Sequence, residues 1–553
     1  MPKANPLSLY FPVGGVVRRH SFQRQPPYTT PDAMNVWPTD WTSGRERGGT
    51  RPGLTGIIAV GATPHDWCEA AWSSAPNVNH RGAAVATSAG CSLYSADTWN
   101  AKIAIAGGGD FRSCAVFLNT LYLATGGEST QFSILGVAPT VAAGTIPLLP
   151  GLLPIVVVLQ TTRPTSGPLY SDLRLDINGV LVDPPNPKGT PPENCGIVLT
   201  WQDRLVLAGD TSNPNQLYMS ASGDAYNWDY TIAAKGAAWF SGGTNGQINE
   251  PITSLVDHGD DCMMIGCTDS LYSMRGNPSA GGYRVKLTKH IGPLMQSAWC
   301  KDEKNRTWFL SRRGLHMVPA GCGQPPESMS AEVIPDELVG IDPGVNGTKV
   351  SLGYDMRWRM IHIYIRHGTA GPYEYWAYDL NNGGFWPMEF GTTKLRLAIS
   401  YKPGMTTEVS ELLALETDGG ANTFDRGSGG SIDSYVWYGP IVLGNPMERG
   451  GLLSMSGALA APGGTVGATL GATEGQVNYD VYVGDSALQA FNADSVFGAS
   501  PPTWTINGWN YPKYVRRAGN AAYIRLSSVG GYAWSVEEVV IERVPAGRRR
   551  VTA

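Results

Sequence analysis

The sequence predicts an all-β protein, with a β-propeller-like main domain and a C-terminal β-sandwich-like domain. Three observations lead there. Helical signals are nearly absent, with no long stretch of apolar residues at i, i+3, i+4 and i+7. Short β-branched and aromatic runs bounded by Gly, Pro, Asn and Asp recur about every 40–50 residues from about residue 60 to residue 426. A glycine- and serine-rich joint follows, after which strand-like runs resume to the end of the chain.

The repeating units share one grammar: strand, polar turn, strand, then an aromatic and a glycine. CAVFLNTLYLATGG, CGIVLTWQDRLVLAGD, RTWFLSRRGLHMV and YEYWAYDLNNGGFWPMEF are examples. Hairpin tips are placed at Gln202-Asp203, at Arg357 to Arg359, and at Asn381-Asn382-Gly383-Gly384, whose residues tolerate positive φ. A period of this size with about four short strands per unit is the signature of propeller blades, and six to eight of them fit the length. The predicted domains are an N-terminal arm with the strand leading into the first blade (1–60), the propeller (61–426) and a C-terminal β domain (431–553). A Pro-rich apolar insertion, 137–194, interrupts the blades.

Within that insertion, residues 141–160 are uncharged and about as long as a membrane span. Pro147, Pro150 and Pro154 would each remove an amide donor from a helix, so the reading is an extended loop. Ile146, Leu148, Leu149, Leu152, Leu153 and Ile155 are its candidate gate or contact residues. The chain opens without an apolar core long enough for a secretory signal.

Composition narrows the function classes. The 553 residues are 42% hydrophobic and only 16% charged, against about 25% charged in a typical soluble domain. Lys+Arg 41 against Asp+Glu 46 leaves a net charge of −5, so no global positive field draws in nucleic acid. The eight cysteines are scattered, several of them in strand-like runs. They read as buried free thiols, which suggests assembly in a reducing cytoplasm. The eight histidines form no HExxH and no close cluster with metal-ligand spacing. No GxSxG elbow or phosphate-binding loop is present. Asp260-Asp261 and Glu537-Glu538 are adjacent, so on a strand they point to opposite faces and make no ready glycosidase dyad. Ser220 to Tyr230 loosely resembles the Asp-box turns of sialidase propellers, which are structural. No catalytic residue, metal or cofactor is assigned. The 17 Trp, 24 Tyr and 12 Phe are read first as packing and interface residues, and second as sugar-stacking platforms.

Three segments together resemble a known family. They are Phe11 to Leu54, containing DAMNVWP and GRERGGTRPGL; Arg204 to Tyr230 followed by Pro251 to Pro278; and Ser351 to Phe390. Their order and spacing are similar to the nozzle, or tail-hub, proteins of short-tailed bacteriophages, as are the C-terminal runs WYGPIVLG and VYVGDSALQAF. The resemblance implies a structural virion protein in the tail, assembled in the host cytoplasm. Such a protein forms a homohexameric ring below the portal and adaptor rings through which double-stranded DNA leaves the capsid without sequence-specific binding. It also implies contacts with tail spikes or fibres and with a distal needle or plug. Arg18, Arg19, Arg24, Arg45, Arg47 and Arg51 are the candidate ring-interface residues. The alternative is a carbohydrate- or receptor-binding propeller of a phage tail, and behind it a propeller glycoside hydrolase.

Overall fold

The computed structural model describes residues 5–40, 43–57, 62–75, 78–88, 90–95, 98–104, 113–117, 120–124, 132–135, 174–175, 181–182, 188–189, 192, 195–225, 227–231, 238–241, 248–259, 261–321, 323–402, 410–425, 432–444, 448–460, 466–471 and 475–548. The candidate gate residues Ile146, Leu148, Leu149, Leu152, Leu153 and Ile155 lie outside them.

Seven antiparallel sheets follow one another among the described residues and form a β-propeller. Blade 1 runs from Pro64 to Ala104 and blade 2 from Ser113 to Leu135, the latter with three described strands. Blade 3 spans Cys195 to Phe240, blade 4 Ile252 to Thr288, blade 5 Trp299 to Ser328 and blade 6 Lys349 to Met388. Blade 7 takes three strands from Leu395 to Asp425, and its fourth is β5 (Gly53–Ile57) from the N-terminal arm. Strands from both ends of the circle thus share one sheet, which fastens the ring as a backbone ladder.

The local chemistry explains the hairpins. Gln202 and Asp203 both take positive φ, 47° and 51°, as a two-residue turn of the primed type requires. Arg359 and Gly383 do the same at the two predicted tips in blade 6. Strands inside a blade are covered on both faces by neighbouring blades, so they read as continuous apolar runs. Met360 to Ile365 and Cys262 to Cys267 are buried at every position.

The C-terminal domain is a sandwich of two five-stranded sheets. One contains Val536–Arg548 and Glu448–Leu459, with Gly508–Trp509 and Lys513–Gly519 along its far side. The other contains Tyr435–Val442, Ala521–Ser528, Val477–Gly484 and Thr503–Trp504. Each sheet also takes a strand from the arm: β1 (Asn5–Leu9) pairs with Val536–Arg548, and β2 (Ala33–Met34) with Tyr435–Val442. The described strands of the N-terminal arm are therefore woven into both domains. They supply edge strands to both domains, and β3 (Val36–Thr39) with β4 (Glu46–Thr50) makes a hairpin between them.

A single hydrophobic core runs from blades 5 to 7 through Phe11, Val16, Val36 and Trp37 of the arm into the sandwich at Val436, Leu452, Ile524 and Ile541. At its centre is Asn35, with φ 55°. Its backbone N–H donates to the Pro387 carbonyl and its Nδ2 to the Asp433 carbonyl. Its Oδ1 accepts from Arg51 Nε (2.9 Å) and from the Glu389 backbone N–H (2.8 Å). Arg51 also donates to the carbonyls of Pro52 and Glu389 and stacks over Phe390, 4.2 Å from its centroid. Burial lowers its pKa to about 9. Thr50, Ser434 and the Trp534 indole N–H form a second buried network beside it. The arm also crosses blade 6 at Gly15 (φ 71°), where an added Cβ would sit 2.7 Å from the Phe385 nitrogen.

Cys114, Cys195, Cys267 and Cys300 are buried free thiols and Cys68 is a half-buried one. Cys262 is disulfide-bonded, which corrects the expectation that all eight are free. It stands at the first position of a strand buried throughout, so its burial in a strand-like run does not distinguish it from the free cysteines in sequence.

Two stability predictions follow from this core. Asn35→Ala strands the Arg51 Nε–H and the Glu389 N–H in the interior, so denaturant unfolding should show a loss of about 3 kcal/mol or more. Asn35→Asp keeps an acceptor there and should lose less. His362 is fully buried among Trp37, Tyr364 and Phe424, and burial lowers its pKa to about 3. A depressed folded pKa contributes stability that is present above about 6.5 and lost as pH falls toward 3. His362→Phe should therefore gain about 2 kcal/mol on the wild type at pH 5 and nothing comparable at pH 8, read by parallel thermal melts.

Candidate functional site

The innermost strand of each blade faces the propeller axis. Backbones radiating from an axis lie too far apart to ladder with the next blade, and short polar side chains bridge the gaps. Ser113 Oγ exchanges hydrogen bonds with Val198, and Thr200 Oγ1 donates to the Val116 carbonyl. Gln296 pairs with both backbone groups of Leu255. Ser297 donates to the Val350 carbonyl, and Ser351 and Ser400 tie blade 6 to blade 7. Arg396 Nε closes the circle on the Pro64 carbonyl of blade 1.

These strands enclose a cavity of about 670 Å³ on the axis, lined by all seven blades. Its charged lining is mainly acidic: Asp66, Glu69, Asp257, Asp302 and Glu303 against Lys301 and Lys402. Several of these carboxylates already have structural work. Asp257 pairs with Lys301 at 3.2 Å. Asp302 accepts from the Lys304 and Arg306 amides, the Arg306 side chain and the Trp308 indole, organising the first turn of blade 5. Glu303 accepts from the Tyr354 hydroxyl and pairs with Arg359.

Asp66 is buried in this ring, as Asp302 is. Desolvation pushes its pKa up to about 7, opposed by hydrogen bonds from Ser113 and from the Trp67 and Cys114 amides. Asp355, at the turn after the inner strand of blade 6, is raised to about 7 by the same cause. It lies 4.0 Å from His362. A charged pair would lower the acid and raise the base, yet burial moves both the other way, so desolvation disfavours the charged pair here. Among the described residues no group of three or more His, Cys, Asp or Glu is placed to hold a metal ion.

The six arginines read from the sequence do not form one patch. Arg18 bridges Glu337 (2.8 Å) and Asp32 (3.2 Å), and Arg19 pairs with Glu332. Arg47 pairs with Asp40 (2.7 Å) and Glu537. Arg51 is only 3% exposed, which places its charge in the core and not on a docking face. Arg24, at the end of a short 3-10 turn, and Arg45 remain exposed. Three of the six, Arg18, Arg19 and Arg47, fasten the arm to the segment after blade 5 and to the sandwich.

Sequence reasoning missed the most exposed aromatic surface, on the sandwich edge. Trp509 is 55% exposed, Tyr511 86% and Tyr514 66%, with Val466 beside Gly508. Lys513, Arg516 and Arg517 are exposed on the same edge, and the Arg516 guanidinium sits 5.0 Å from the Tyr514 ring centroid. The signal was legible as a run without Asp or Glu from Ser495 to Val536.

The raised carboxyl of Asp66 gives a pH signature. A folded pKa above the unfolded value of about 3.8 contributes stability that is fully present below that value and lost as pH rises through 7. Asp66→Asn keeps the shape and removes the ionisation. Its melting temperature should exceed that of the wild type at pH 8–9, and the gap should narrow as pH falls and close near the unfolded pKa of about 3.8.

No family model and no curated protein matches the sequence. Among solved structures, the chain is similar to the extracellular domain of the one-component system BT4673 from B. thetaiotaomicron, at 12% identity and TM-score 0.37, over 70% of this chain and 46% of that one. It is also similar to virginiamycin B lyase from Staphylococcus aureus, at 8% identity and TM-score 0.35, over 67% of this chain and 97% of that one. BamB from Moraxella catarrhalis matches at 11% identity and TM-score 0.27, over 68% and 98%. The chain thus spans less than half of the BT4673 domain it matches. These likenesses concern the fold alone, and the propeller assignment follows from the chain's own sheet order.

Proposed function

We propose that the chain is a structural virion protein: the tail nozzle of a short-tailed bacteriophage, forming a ring-shaped conduit for DNA ejection below the portal and adaptor. The observation that carries this reading is the threading of the N-terminal arm. It gives β1 and β2 to the sandwich and β5 to the propeller, and it shares one core with both. Such a chain behaves as one stiff block, as a load-bearing tube segment requires. The DAMNVWP and GRERGGTRPGL phrases that carry the family resemblance contain Asn35 and Arg51, the hub of that threading.

The carboxylates of the axial cavity also favour a scaffold. Asp257, Asp302 and Glu303 hold turns and ion pairs, which leaves them poorly placed for proton transfer. In this reading DNA passes through the opening between subunits and not along the propeller axis, where single side chains bridge the blades. The ring contacts an adaptor above, and spikes or fibres and a distal needle or plug around and below it.

The test is the mass of the purified protein in solution, followed by electron microscopy of any oligomer. The expected result is a ring of about six copies with an axial opening wide enough for duplex DNA and no hydrolysis of glycans. A monomer with saturable glycan binding would overturn it in favour of a receptor-binding propeller.

A further inference from the structure

The chain carries two surfaces of opposite sign in different domains. The first is the sandwich edge at Gly508–Trp509 and Lys513–Gly519. Its outward side chains include Trp509, Tyr511, Tyr514, Lys513, Arg516 and Arg517. The three cations have no carboxylate partner among the described residues. Strand Lys513–Gly519 is a poor template for adding another strand, because Arg516 has φ 49° and the register shifts opposite it, between Leu452 and Ser454. A partner docks here through side chains. Exposed Trp, Tyr and Arg are the residue types that anchor protein interfaces.

The second surface is the outer segment of blade 5 and the loop after it, residues 327–342. Between Arg313 and Lys349 the chain has no Lys or Arg, yet it carries Glu327, Glu332, Asp336, Glu337 and Asp342. Glu332 and Glu337 are answered by Arg19 and Arg18 of the arm, and Asp342 approaches Arg312 at 3.7 Å. Glu327 and Asp336 are exposed and have no cationic partner among the described residues. Val345, 51% exposed, adds an apolar contact nearby. No ion pair among the described residues joins this segment to the sandwich edge.

We infer that the aromatic–cationic sandwich edge of one copy docks on the acidic blade-5 segment of the next copy. Two different, complementary patches on one molecule make a head-to-tail contact, and such contacts generate rings when the rotation closes. This rests on the ring reading above and names the surfaces that build it. A phosphate backbone would suit the cations equally, but it has no use for the acidic segment. The charge complementarity within the chain therefore favours a second copy.

The experiment is a charge swap on the full chain, followed by mass photometry and sedimentation at low and high salt. Lys513→Glu, Arg516→Glu and Arg517→Glu together, or Glu327→Lys, Asp336→Lys and Asp342→Lys together, should each weaken self-association roughly 100-fold. Combining the two sets should restore the rings. All six positions are exposed, so each variant should melt with the wild type, which shows that it is folded. Loss of rings in both single sets without rescue in the combination overturns the pairing of these two surfaces. Rings that survive both single sets overturn the docking surface alone and leave the ring reading standing. A wild-type chain that stays monomeric at low salt and high concentration overturns both. Salt-sensitive binding of a labelled DNA duplex that the cationic set abolishes, with self-association unchanged, reassigns the edge to nucleic acid and also overturns the proposal.

Discussion

The structure depends on the hydrogen bonds between Asn35 and Arg51. Asn35 touches blade 6 through Pro387 and Glu389 and the start of the sandwich through Asp433. Arg51 extends the same hub toward Phe390. A buried guanidinium with no carboxylate at hand is costly unless its donors are met, and here a side-chain oxygen and two carbonyls meet them. That requirement holds the arm in one course, and the course sets where β5 closes the propeller and where β1 and β2 enter the sandwich.

The propeller solves a different geometric problem at its axis. Its inner strands diverge, so the ladder that joins strands within a blade is not available between blades. Hydroxyls and one glutamine reach across instead, and each satisfies a backbone group that would otherwise lie buried and unpaired. The axial cavity is a by-product of this arrangement. Its acids are drawn into turns and ion pairs, and Asp66 is held where its neutral form is favoured. The polar residues of the channel keep seven sheets in a circle.

Charge is distributed by domain. The low overall charge conceals an acid-free edge on the sandwich and a base-free segment on blade 5. The arginines of the arm, which looked like a free basic patch, are largely taken up inside the chain. Arg18 and Arg19 neutralise part of the blade-5 segment, and Arg47 ties the arm to the last sandwich strand. Three surface cations without a carboxylate partner among the described residues, Lys513, Arg516 and Arg517, lie together on the edge carrying Tyr511 and Tyr514.

The sequence by itself determined the all-β class, the repeating blades and the hairpin tips. These are local matters: strand periodicity, glycine spacing and residues that accept positive φ act over a few positions, as at Gln202-Asp203. Tertiary structure decided what depends on residues far apart. Asn35 with Glu389, Thr50 with Trp534 and β5 with Ala421–Asp425 are joined across hundreds of residues, and no local pattern announces them. It also decided which charges stay outside. Arg51 and Arg24 look alike in sequence, yet one is enclosed by the hub and the other remains at the surface. Burial is a property of the whole packing, and the same packing commits the cavity's acids to holding turns and ion pairs.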